Sequence, residues 1–113
     1  LRPETYIKTY IDPNWTPYLV TPAFPEYSSG HSTISAASSI ILTYCIGDNL
    51  GFIDDVESAY GLAPRQYNSF AEAANEASIS RLYGGIHFFS ALQSGANHGN
   101  EIGQFILNKM LSN

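Results

Sequence analysis

Three short stretches of this chain place together residue types able to hold and work on an oxyanion. The first is Ser28-Ser29-Gly30-His31, at the start of an apolar-periodic run. A helix N-terminus presents unpaired N–H groups and a partial positive charge, so it seats anions. Glycine lets the backbone approach closely, serine adds a hydroxyl donor, and histidine exchanges a proton near neutral pH. The same residues also read as an ordinary capped helix start with a part-exposed histidine. The second stretch is Ser80-Arg81-Leu82-Tyr83-Gly84-Gly85-Ile86-His87. On one straight helix Arg81 and His87 would point roughly 120° apart, but the paired glycines break that helix and allow both to meet at one point. Arg81 falls in an otherwise apolar stripe, where a guanidinium needs an anion. That anion is either a bound ligand or a carboxylate such as Glu72 or Glu76. Arg2-Pro3 is a third short element, uninformative alone. Two histidines with planar arginine forks suit a tetrahedral or trigonal-bipyramidal oxyanion.

The elements that must carry these residues are helical. Residues 1–30, punctuated by Pro3, Pro13, Pro17, Pro22 and Pro25, read as an irregular wrap rich in aromatics. From His31 to about Ile46 the stripe Ile34, Ala37, Ile41 and Tyr44/Cys45 predicts a helix, capped by Ser29 or Ser32 and stopped by Gly47. Residues 47–67 read as a loop with one short helix near 54–60. A second helix spans about Ser69 to Tyr83 on an inner stripe of Phe70, Ala73, Ala74, Ala77 and Ser80/Arg81, until Gly84-Gly85 breaks it. A short helix near Ile86 and a last one over Asn97–Leu111, aligned on Ile102, Phe105, Ile106 and Met110, complete an all-α chain. Trp15 reads as core or lid packing and His98 as a surface residue.

Composition narrows the function classes. The 113 residues make one domain at most, 44% hydrophobic but only 13% charged, about half the usual share of charge. Much of the helix surface is therefore expected to be covered. A net charge of −5 argues against a nucleic-acid binder, which needs a basic face. No run approaches the roughly 20 apolar residues of a membrane span. The single cysteine, Cys45, excludes an internal disulfide and reads as a small buried residue. An opening at Leu1-Arg2-Pro3 without methionine reads as a processed or truncated piece.

In order, Arg2-Pro3, Ser29-Gly30-His31 and Ser80-Arg81-x5-His87 resemble the three motifs of the vanadium haloperoxidase and type 2 phosphatidic acid phosphatase superfamily: Lys-x6-Arg-Pro, Pro-Ser-Gly-His and Ser-Arg-x5-His-x3-Asp. The strings Trp15-Thr16-Pro17, Thr21 to Tyr27 and Tyr83 to Phe88 look like the soluble bacterial haloperoxidase-type members. The resemblance covers essentially the whole chain and implies the C-terminal part of a larger helical bundle. It departs at three places. The first motif's lysine would precede Leu1, Ser28 stands for a proline, and Ala91 stands for the third motif's aspartate, with Glu76 a candidate substitute.

The resemblance implies a role for each matched residue. His87 is the covalent centre: the vanadium ligand in a peroxidase, the phosphate-accepting nucleophile in a phosphatase. Arg2, Arg81, Ser29 and the Gly30 N–H hold the equatorial oxygens, His31 is the apical acid–base group, and Phe24 takes the halide-pocket position. The implied activity is peroxide-driven halide oxidation with vanadate as cofactor. The alternatives are a metal-independent acid phosphatase acting on phosphomonoesters, needing no cofactor, and an incomplete or inactive helical relative. Loss of the aspartate weighs more against the phosphatase, whose nucleophile needs a basic partner. The implied partners are small molecules: peroxide and halide, or a phosphoester. Upstream helices or a second copy are expected to complete the fold, and the resemblance points to a periplasmic or secreted location.

Overall fold

Among the described residues four α-helices carry the chain, and the first lies where the prolines read as an irregular wrap. In the computed structural model, which describes residues 1–112, α1 spans Pro3–Tyr10. Proline at the first helical position has a preset φ and lacks only an N–H that would be unpaired there anyway. Glu4 in the first turn and Lys8 in the last oppose the helix dipole, and the two pair at 2.7 Å. The remaining segment up to Ser29 is irregular.

α2 spans Gly30–Ile46, its Ser29 cap accepting the Ser32 N–H, and it stops at Gly47 with φ +135°. Between α2 and α3 a two-stranded antiparallel hairpin pairs β1 (Phe52–Asp54) with β2 (Arg65–Tyr67) in the register Phe52 opposite Tyr67. A 3-10 turn over Val56–Tyr60 sits between the strands. The sequence reading has the turn but not the strands, which are three residues each. α3 spans Phe70–Tyr83, capped by Ser69. α4 is one continuous helix from Phe89 to Leu111, not two pieces.

α2 packs most extensively on α4, then on α3. The buried residues of α2 are Ser32, Ala36 and Ser39, and those of α4 are Ala91, Leu92, Gly95, Gly99, Gly103 and Leu107. This corrects the stripes read from the larger residues. Ile34 is 70% exposed and Phe105 62%, with Ile106 and Met110 also outward. Cys45 is likewise exposed rather than buried. Small residues recur every fourth position on α4, and their lack of side chain brings the two backbones together. A Cβ on Gly99 would stand 2.2 Å from the Thr33 carbonyl oxygen, and one on Gly95 2.4 Å from that of Ser29. The seam therefore fixes where the N-terminus of α2, with Ser29 to His31, sits along α4. Among the described residues no helix is long and apolar enough to cross a membrane.

Candidate functional site

The break after α3 is what brings the backbones of Arg81 and His87 together. Gly85 adopts φ +68°, a region that favours glycine. The chain then folds back so that the Ile86 N–H donates to the Arg81 carbonyl at 3.0 Å and the His87 N–H to the same oxygen at 3.4 Å. Trp15 packs on this turn, where a Cβ on Gly85 would stand 2.5 Å from its ring. Ile86 and His87 are buried. The start of α1 is pinned to the same turn: the Glu4 N–H donates to the Gly85 carbonyl at 3.3 Å and Arg2 Nη1 to the Ile86 carbonyl at 2.7 Å. Arg2 Nη2 reaches the Phe24 carbonyl, and its guanidinium lies 4.8 Å from the Phe24 ring centroid.

Around the turn the charged groups feel one another. Partial desolvation pushes the His31 imidazole below its ordinary range, helped by the nearby Arg81 and His87 charges. Burial lowers Arg81, and the Arg2 charge adds to it. Burial also lowers His87. The Glu26 carbonyl and carboxylate oppose that shift, while Arg2 and Arg81 reinforce it. Arg2 and Arg81, with the His31 and His87 imidazoles that they help push toward the neutral form, thus form one electrostatically linked group beside the N-terminus of α2.

Buried polar atoms around this turn are left without partners. His87 Nδ1 lies 2.5 Å from the Glu26 carbonyl oxygen, so this nitrogen carries the proton and Nε2 is left with its lone pair. Nε2 is buried and has no hydrogen-bond partner among the described residues, and the same holds for Arg81 Nε and Thr21 Oγ1. Ser29, fully buried, takes part in a serine chain. Ser32 Oγ donates to Ser29 Oγ at 2.9 Å, and Ser78 Oγ lies 2.6 Å from Ser32 Oγ. Because the one hydroxyl proton of Ser32 goes to Ser29, Ser78 must donate to Ser32, and the proton of Ser29 is left to point elsewhere. Ser78 escapes sequence reasoning and Ser32 enters it only as a candidate cap, since serines on helices carry no spacing signal of their own.

Phe24, 46% exposed, has its ring centroid 6.3 Å from that of His87. His31 and Gly30 are exposed at the start of α2, and His98 is exposed on α4, far along the helix from the turn. Two carboxylate readings are corrected. Glu76 does not face the site but pairs with Arg65 at 2.6 Å. Arg81 accordingly has no ion pair with Glu72 or Glu76; Glu72 instead accepts from Asn68. Among the described residues no cluster of three or more His, Cys, Asp or Glu could hold a metal ion. Two guanidinium groups, a buried hydroxyl proton and a helix N-terminus suit the oxygens of an oxyanion, and an imidazole lone pair suits its electrophilic central atom.

The family model of the VCPO second helical-bundle domain matches residues 2–113. Among solved structures, that of the first bacterial vanadium-dependent iodoperoxidase superposes with a TM-score of 0.91 at 53% identity, over 96% of this chain and 26% of that one. Holo and apo bacterial vanadium-dependent chloroperoxidases superpose at 0.67 and 0.64, both at 23% identity, over 82% and 80% of this chain and 22% of theirs. Similarity of the latter order speaks to the fold alone. No curated protein sequence matches. The chain spans about a quarter of the length of the structures it resembles.

Proposed function

From the premise that this chain belongs to the vanadium haloperoxidases, as their second helical-bundle domain, we propose that it carries the anion-holding and acid–base residues of a vanadate-dependent site for peroxide-driven halide oxidation. The observation that carries the reading is the group of two guanidinium cations, Arg2 and Arg81, and two imidazoles, His31 and His87, in which Arg81 Nε and His87 Nε2 are buried without partners among the described residues.

In this reading Arg2 and Arg81 neutralise the charge of vanadate, and the Ser29 hydroxyl and Gly30 N–H add neutral donors. His87 offers its Nε2 lone pair as the one protein ligand. Bound vanadate would supply Lewis-acid activation of peroxide. His31, pushed toward its neutral form by partial desolvation and by the nearby Arg81, would accept a proton from an incoming peroxide and return it to the departing oxygen. Phe24 gives the halide an apolar wall beside His87. Because the 53% identical relative is an iodoperoxidase, iodide is the halide to test first.

The test is vanadium content and calorimetric vanadate binding, run beside iodide- and bromide-dependent peroxidase assays and a phosphomonoester assay. One vanadate per chain with halide oxidation supports the proposal. Phosphoester turnover without halide oxidation would move the site to the phosphatase side of the superfamily. No saturable binding of either vanadate or phosphate would overturn the oxyanion reading altogether.

A further inference from the structure

The third motif is incomplete in this sequence, and the structure places another carboxylate beside its histidine. Position 91, where the motif calls for aspartate, holds an alanine with no exposed surface, and its carbonyl accepts the Ser29 N–H at 3.1 Å. It offers His87 nothing. Glu26 approaches the ring from the irregular segment before α2, sixty-one residues away in sequence. Its backbone carbonyl lies 2.5 Å from His87 Nδ1 and its carboxylate Oε1 3.7 Å from the same nitrogen. That carboxylate is itself held in place: Oε1 accepts the Phe88 N–H at 2.9 Å, and the side chain is only 12% exposed.

We propose that Glu26 is the positioning residue for His87 and takes over the work of the absent aspartate, its carbonyl fixing the proton on Nδ1 and its carboxylate making Nε2 a better electron donor. The proposal rests on the reading of His87 as the anion-holding ligand. Such outer partners set ring orientation and donor strength, and losing one typically weakens binding 10- to 100-fold. Glu26 divides the task between two groups of one residue. The backbone carbonyl survives any substitution, so the tautomer should be robust. The carboxylate charge is what a substitution removes. Phe88 at the start of α4 does not dilute the argument, because an amide oxygen can cap that N–H as well as a carboxylate can.

The experiment compares wild type, Glu26→Gln, Glu26→Ala and His87→Ala, each with orthovanadate and with inorganic phosphate by calorimetry. Melting temperatures and the ring nitrogen shifts of His87 by NMR accompany each. Glu26→Gln keeps a capping oxygen and loses the charge. The expected result is a melting temperature near wild type, the Nδ1–H tautomer retained, a displaced Nε2 shift, and vanadate affinity lower by about tenfold. If Glu26→Gln binds vanadate like wild type while only Glu26→Ala melts early, Glu26 is a helix cap and the proposal is overturned. A wild-type His87 protonated on Nε2 rather than Nδ1 overturns it without any variant. If His87→Ala also binds like wild type, it is the underlying oxyanion reading that has failed.

Discussion

His31 and His87 have the same ordinary pKa and are pushed the same way, yet their surroundings suit them to different work. Both are held below the usual imidazole range, first by burial. His87 is enclosed and has one nitrogen committed to Glu26, whereas His31 is on the exposed lip of α2. In the unfolded chain both rings titrate near 6.5, so below that value the unfolded state binds more protons than the folded one. Stability should therefore fall as the pH drops below about 6.5, and the loss should level off once the folded rings are also charged. A bound oxyanion reverses the field, so saturating phosphate should raise the titration midpoints of both rings in an NMR titration. A His31 midpoint indifferent to phosphate would place the anion elsewhere. The division of labour predicts different losses. His87→Ala should abolish measurable vanadate binding. His31→Ala should leave vanadate affinity within about threefold while turnover falls roughly 10²- to 10⁴-fold. Similar affinity losses in both would contradict the assignment.

Between elements, the seam of α2 on α4 sets the position of the site, and it is the part of the fold that sequence periodicity reads least well. The existence of α2 and α3 is legible because Ser29 and Ser69 cap their starts and Gly47 and Gly84 follow their last turns. Arg81 and His87 are legible as partners because only a glycine break could bring them together. The inward faces are not legible from large apolar residues, because the contact uses Gly95, Gly99 and Gly103 while Ile34 and Phe105 face out. Close backbone packing leaves no hydrophobic stripe to read, only glycines four residues apart. α1 is hidden for another reason: Pro3 reads as a breaker but serves as a helix start. Gly99→Ala tests the seam. Helix propensity alone would favour alanine by about 1 kcal/mol. The new Cβ would meet the Thr33 carbonyl, which moves only with α2, so a net destabilisation of roughly 1–3 kcal/mol should appear in thermal melts. Asn100→Ala, exposed on the same helix, should change little. The serine chain joins α3 to α2. Ser78→Ala removes its first donor and should weaken phosphate binding about threefold to tenfold, as one lost hydrogen bond of ~0.5–1.5 kcal/mol implies, without a matching drop in melting temperature. Unchanged affinity would mean that the chain does not orient Ser29.

As a whole molecule, the chain has the outline of a part rather than of a self-contained globule. Its radius of gyration is 16.3 Å, with extents of 53 × 33 × 19 Å, where a compact domain of this length would have roughly 13 Å. The excess has a chemical counterpart. Ile34, Leu42 and Ile46 on α2, and Phe105, Ile106, Met110 and Leu111 on α4, are exposed. The groove of about 490 Å³ between α3 and α4 is lined largely by apolar surface from Ile79, Phe89 and Leu92. A soluble monomer rarely leaves contiguous apolar patches of that kind in water. The few charges that would solvate them are scarce in this composition, 13% in all. The chain spans about a quarter of the iodoperoxidase it resembles, and we expect these faces to be covered by further helices or by a second copy in the working protein. Purified alone, the 113 residues should sediment as oligomers held by a broad hydrophobic interface of the size usual for obligate partners, or should melt without cooperativity. Because the N-terminus of α2 is set by the seam rather than by the outer faces, anion binding should recover in whichever assembly restores cooperative melting. A stable monomer with a sharp, reversible melt would show instead that the small-residue seam suffices to hold the site.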